Sequence, residues 1–182
     1  MTKHSTTPGN NSSDSNSTTS TSTRAQASPK VRIGQPDRPL TMLELIGGEI
    51  LELSDGHAKG ILNLSPMVMQ PTKVFHAGSI VVLADELASY AICGTMDTPL
   101  PKGQLFPYSI QISLNLLSND PVGPLSAEAN VVKRGRVTVV DTTITGSTGK
   151  TVALMRSSHL MVDPSTTGPH LKKKNIKIES ET

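Results

Sequence analysis

Two adjacent carboxylates, Asp85 and Glu86, stand in the middle of an apolar run that extends from Ser79 to Met96 with no Gly or Pro before Gly94. The length of the run makes it a helix rather than a strand. Val81, Val82, Leu83, Leu87, Ala88, Ala91 and Ile92 are spread round its circumference, the pattern of a buried helix. A carboxylate withdrawn from water pairs, shifts its pKa upward or has chemistry to do, so one of the two acids is expected to face a site. On a helix Asp85 shares a face with Gly78 and Ser89, whereas Glu86 shares its face with Val82 and Tyr90. A small residue and a hydroxyl form a better polar pocket than a valine and a tyrosine, and the spacing favours Asp85.

His76-Ala77-Gly78 occupies the point where this helix begins. Unsatisfied backbone N–H groups and the helix dipole at such a point can polarise a carbonyl or hold an oxyanion. The same three residues also read as a plain loop-to-helix turn with His76 as a satisfied local histidine, and the residues alone leave both readings open.

The elements that would position these groups follow from periodicity. Ile50–Ser54 and Ala58–Leu64 flank Asp55-Gly56, a pair suited to a tight hairpin turn. A polar-leaning loop through Gln70 and Pro71 leads to the helix. Beyond it, alternation at Ile110, Ile112, Leu114 and Leu116, then at Leu125, Ala127, Ala129 and Val131, then at Val137 and Val139, marks strands with one buried face. Gly146 to Lys150 turns into a last strand, Val152–Met161. The order is strand, strand, helix and four strands, an α+β layout in which one helix covers an antiparallel sheet.

At 182 residues the chain suits one domain with tails, expected at residues 39–163. Residues 1–38 are rich in Ser and Thr and poor in large apolar side chains, which leaves burial unable to offset the entropy of ordering them. Their scarcity of acids gives a faint likeness to an organellar transit peptide, but basic residues are sparse and no amphipathic face is present. Residues 164–182, with Lys172, Lys173 and Lys174, read as a basic, solvated second tail. The balance of 17 basic against 15 acidic residues lies mostly in these tails and argues against nucleic-acid binding. Cys93, the single cysteine, excludes an intrachain disulfide and a cysteine-based zinc cage. No stretch approaches the roughly 18 apolar residues of a spanning helix, and no apolar signal-peptide centre is present, so a cytoplasmic protein without a membrane partner is expected.

His76-Ala77-Gly78 followed by Leu83-Ala84-Asp85 resembles the His-Gly-Gly…Leu-Ala-Asp signature of hotdog thioesterases of the phenylacetic-acid-pathway type, with the acid nine positions after the histidine. The resemblance extends through the Asp55-Gly56 hairpin and Lys133-Arg134-Gly135-Arg136. It implies a hotdog fold, an antiparallel sheet of five or six strands wrapped around one long central helix. It further implies hydrolysis of an acyl-coenzyme A thioester to a free acid and coenzyme A, in a homodimer that often pairs into a homotetramer. Asp85 would attack the thioester carbonyl or activate water, and the N–H of Ala77 or Gly78 would hold the oxyanion. Gln70 would orient the carbonyl or water, with His76 beside it at the helix start. Ser89 would support the carboxylate, and Ser109 would reach in from a neighbouring subunit. Lys133, Arg134 and Arg136 around Gly135 would meet the phosphates of coenzyme A. No metal or cofactor is implied, coenzyme A being part of the substrate.

Two features depart from the signature. Ala77 replaces the first glycine, which keeps the N–H but adds a methyl. Gln70 stands where the family commonly has Asn and the related hydroxybenzoyl-coenzyme A thioesterases have Gln, and both amides donate hydrogen bonds. Two rivals accompany the reading. A hotdog hydratase or dehydratase would use a histidine with a carboxylate, but its His-Phe-Pro-Gly or Asp…His motif is missing. A non-catalytic acyl-coenzyme A sensor would bind without turnover.

Overall fold

The computed structural model describes residues 40–95 and 102–164. Its elements are α1 (Met42–Leu45), β1 (Gly48–Ser54), β2 (His57–Leu62), α2 (Ala77–Cys93), β3 (Phe106–Leu116), β4 (Leu125–Lys133), β5 (Val137–Thr145) and β6 (Thr151–Val162). The expected tails lie outside the described residues, apart from Pro164 at the second boundary. The order of strands and central helix is the one periodicity gives, with α1 added. This single turn is too short to show a period, yet it carries a capping box: the Thr41 hydroxyl accepts from the N–H of Glu44, and the Glu44 carboxylate accepts from the N–H of Thr41 at 2.8 Å.

Helix α2 differs from expectation at both ends. It starts at Ala77, two residues early, because His76 caps it with its own ring. It stops at Cys93 instead of reaching Met96, because Gly94 takes a left-handed conformation (φ 64°) and its N–H closes on the Tyr90 carbonyl.

The six strands form one sheet in the order β1-β2-β4-β5-β6-β3, every neighbouring pair antiparallel. Helix α2 packs against all of them. Its buried face of Ile80, Leu83, Ala84, Leu87, Ala88 and Ala91 meets a floor of Ala58, Ala127, Ala129 and Ala153, edged by Leu62, Val140 and Ile144. A floor of alanines lets the helix axis sit close to the sheet, which is how a chain with one large buried aromatic, Phe75, still closes its core. Each fully buried leucine here contributes about 1.5–3 kcal/mol relative to exposure.

Strand β3 follows the helix in sequence but pairs with β6, the last strand, and forms one edge of the sheet. Among the described residues its outer backbone edge has no strand partner, and Phe106, Tyr108, Ile110, Ile112 and Leu116 are exposed along it. A long apolar edge of this kind is a template for pairing with another strand.

Candidate active site

The two acids of α2 have different fates. The Glu86 carboxylate accepts a hydrogen bond from the N–H of Leu43 at 2.9 Å. That N–H belongs to the first turn of α1 and has no intrahelical acceptor, so Glu86 serves the fold by tying α1 to α2. Asp85, one residue earlier, faces β3. Its Oδ1 accepts from the Ser109 hydroxyl at 2.7 Å. Its Oδ2 has no hydrogen-bond partner among the described residues.

Ser109 is part of a longer row. It lies opposite His159 in the β3–β6 register, and its Oγ is 3.3 Å from His159 Nδ1. On the far side of the ring, Nε2 is 2.8 Å from the Ser157 hydroxyl. His159 and Ser157 are both 0% exposed. Burial pushes the His159 pKa down, which keeps the ring neutral, and the Asp85 charge and the Pro107 carbonyl oppose that push.

Sequence reasoning missed His159 because it treated Val152–Met161 as an ordinary alternating strand. The usable signal was polarity in the inward register: Ala153 and Met155 face the core, and the same parity leads to Ser157 and His159. The expectation that Ser109 enters from a neighbouring subunit is corrected, since it sits beside Asp85 of its own chain. The reason is topological: the sheet order brings β3 against β6 over the middle of α2, a pairing no local pattern reveals.

At the start of α2, His76 Nδ1 accepts from the N–H of Gly78 at 2.9 Å, so the ring caps its own helix. The fit is close: a Cβ at position 78 would stand 3.0 Å from Nδ1. The Ser79 hydroxyl donates to the His76 carbonyl at 2.7 Å, and the His76 N–H donates to the Val68 carbonyl at 2.8 Å. Ala77 N–H has no partner among the described residues. It is the free backbone donor at this helix start, while that of Gly78 is engaged.

Gln70 lies in the loop before the helix. Its backbone N–H donates to the Val74 carbonyl, and its side-chain amide donates to the Thr72 hydroxyl at 2.7 Å. Gln70, His76, Ala77 and Gly78 thus gather at the N-terminal end of α2, and Asp85 and Ser109 gather near its middle. The two groups do not converge within one chain: seven residues separate Gly78 from Asp85, about 10 Å of helix axis. Ser89 is half-buried one turn beyond Asp85, and its hydroxyl has no hydrogen-bond partner among the described residues.

Lys133, Arg134, Gly135 and Arg136 form the turn from β4 to β5 at the opposite end of the helix from His76. Arg134 is paired with Asp55 of the first hairpin. An open groove of about 450 Å³ runs between that hairpin (Asp55, Gly56, His57) and the end of β4 (Val131, Val132, Lys133, Arg134). The Gly56 N–H bonds to the Ala91 carbonyl, which puts the groove six residues, or about 9 Å along the axis, from Asp85. Among the described residues no three His, Cys, Asp or Glu side chains are grouped to hold a metal ion, and no helix is long and apolar enough to cross a membrane.

A six-stranded antiparallel sheet wrapped on one long helix is the hotdog fold, and comparison with solved structures assigns this chain to that fold class. A thioesterase of Staphylococcus aureus superposes with a TM-score of 0.60 at 20% identity, over 66% of this chain and 98% of the other. The PaaI protein of Escherichia coli, from the phenylacetic acid degradation operon, does so with a TM-score of 0.59 at 23% identity, over 66% and 83%. A hypothetical thioesterase of Streptococcus pneumoniae, crystallised with coenzyme A, has a TM-score of 0.55 at 20% identity, over 63% and 88%. No family model matches the sequence.

Proposed function

We propose that the protein is an acyl-coenzyme A thioesterase with Asp85 as its catalytic carboxylate. The observation that carries the reading is the contrast within α2: Glu86 is committed to α1, whereas Asp85 keeps one oxygen without a hydrogen-bond partner among the described residues, on a helix whose packed face is apolar. A carboxylate with one oxygen left open suits either attack on a thioester carbon or removal of a proton from water. In the second case hydroxide adds to the carbonyl, the C–S bond breaks, and the thiolate of coenzyme A takes up a proton. The fold shared with thioesterases, one of them crystallised with coenzyme A, supports the same substrate class.

A thioester carbon within reach of Asp85 places its oxygen about 10 Å from the Gly78 end of the same helix, beyond any hydrogen bond. A complete site therefore takes its oxyanion donor from a second copy. The exposed edge of β3, which carries Ser109, is the surface on which two copies would pair, and a homodimer, doubled into a homotetramer, is the assembly in keeping with it. Ala77 N–H is the better oxyanion donor of the two, since Gly78 N–H is held by His76. Gln70 would turn from Thr72 toward the bound carbonyl. Lys133 and Arg136 would meet phosphates of coenzyme A beside the groove, with Arg134 partly neutralised by Asp55. No cofactor is required by these steps, and cytoplasmic acyl-coenzyme A esters are the proposed substrates.

A histidine–carboxylate pair of the hydratase kind finds no support in His159, which is fully buried and separated from Asp85 by Ser109. The test is release of coenzyme A thiol from a panel of esters, short to long and aliphatic to aromatic, by wild type and Asp85→Asn. Turnover that collapses in the variant is expected. No turnover on any ester, or a variant as active as wild type, would sink the assignment.

A further inference from the structure

The row Asp85–Ser109–His159–Ser157 can be solved for its protons, and the solution gives His159 a role; the argument rests on Asp85 being the reacting group. An ionised carboxylate only accepts hydrogen bonds, and a hydroxyl has one proton to give. At 2.7 Å from Asp85 Oδ1, the Ser109 proton goes to the carboxylate. Ser109 Oγ then offers only lone pairs to His159 Nδ1 at 3.3 Å, so that nitrogen carries a hydrogen. A neutral ring has a single N–H, which leaves Nε2 as an acceptor for the Ser157 hydroxyl at 2.8 Å. Every bond in the row points the same way: Ser157 donates to Nε2, Nδ1–H donates to Ser109, and Ser109 donates to Asp85.

We infer that His159 is a positioning residue of the reaction, whose Nδ1–H fixes the Ser109 hydroxyl so that its proton is presented to Asp85 Oδ1, leaving Oδ2 open for water or the thioester carbon. The opposite tautomer would do the reverse. With the hydrogen on Nε2, Nδ1 becomes an acceptor and competes with Asp85 for the one Ser109 proton. The surroundings keep the ring in place: Ser157 lies on its own strand, Ser109 and the Pro107 carbonyl face it from β3, and Thr138 stands opposite on β5. Asp85 of α2 is the one charged group among the described residues that acts on the ring.

Two measurements test this. In the wild-type protein, nitrogen-15 NMR of the His159 ring should show Nδ1 as the protonated nitrogen and Nε2 as the bare one; a bare Nδ1 would overturn the proposal, whatever the protein hydrolyses. In thioester hydrolysis, His159→Asn places an amide N–H close to the Nδ1 position and should keep kcat within a few-fold of wild type. His159→Gln and His159→Leu should lose kcat by roughly 10- to 100-fold with KM unchanged. In a Ser109→Ala background the same two substitutions should cost nothing further, because the hydroxyl they orient is gone. A full-speed His159→Leu, equal losses in Asn and Gln variants, or losses that multiply with Ser109→Ala would each overturn it. Should Leu prevent folding, the Asn and Gln pair and the spectrum still decide. Wild type inactive on every ester would refute the thioesterase reading, and the spectrum would then separately show whether the row is directed as inferred.

Discussion

Asp120 and Asp85 hold the same functional group in opposite states of commitment. Asp120 Oδ1 accepts from the N–H groups of Val122 and Gly123, each at 2.7 Å, and Oδ2 accepts from the N–H and the hydroxyl of Ser147 at 2.6 and 2.8 Å. Those four donors, the Gly123 N–H foremost, hold its pKa at about 2 and pin the 118–124 loop to the β5–β6 turn. Among the described residues Asp85 receives one donor, from a side chain. On the proposed reading, what separates a structural carboxylate from a reactive one is how many of its lone pairs the fold has already satisfied. Burial does not make the distinction, since Asp120 is the more enclosed of the two.

The comparison can be broken most directly by exchanging each acid for its amide. Asp85→Asn should lower kcat by about 10²- to 10⁴-fold with little change in Tm. Asp120→Asn should do the reverse, lowering Tm while kcat of the folded protein stays at the wild-type value. Loss of activity in both, or in neither, would mean that satisfied lone pairs do not sort the two sites. Ser109→Ala removes the hydroxyl that donates to Asp85 and should cost roughly 10- to 100-fold in kcat in steady-state assays.

Acid titration of stability sharpens the contrast further. His159 has a folded pKa below its ordinary 6.5, so the unfolded chain binds the proton first and stability falls as pH drops below about 6.5. Asp120, depressed from 3.8 to about 2, contributes stability that is present above pH 3.8 and lost as pH falls toward 2. Tm measured against pH should show both regions, with Asp120→Asn flattening only the lower one and His159→Asn only the upper. A smaller effect is expected at Glu86→Ala, about 1–2 kcal/mol in denaturant unfolding from loss of the Leu43 bond, with kcat retained. The exposed Asp141–Arg156 pair should matter least, and Asp141→Asn is expected to change stability by less than about 1 kcal/mol.

The strands, the hairpin at Asp55-Gly56 and the central helix were legible because each announces itself over neighbouring residues, by alternation, by turn chemistry or by length. The different surroundings of Asp85 and Glu86 were legible too, since helical spacing alone set a small residue and a serine against a valine and a tyrosine. What α1 would do with Glu86 was not, because Leu43 is 43 residues away. Nor was the meeting of Ser109 with His159, which depends on β3 skipping three strands to reach the far edge of the sheet. Pairings of that separation leave no periodic trace. The capping box of α1 and the inward parity of Ser157 and His159 did leave traces, readable once the register of each element is in hand.

The ring of His76 folded back on Gly78 ties the choices at two positions together. Any side chain at 78 begins 3.0 Å from Nδ1, tighter than ordinary contact, and displaces the ring that caps the helix. Drift at these positions in descendants of this chain is therefore expected to be concerted: a residue larger than glycine arrives at 78 together with a shorter capping side chain such as serine or aspartate at 76. Combinatorial libraries randomised at 76 alone would recover mostly small cappers, while libraries randomised at 78 alone would return glycine.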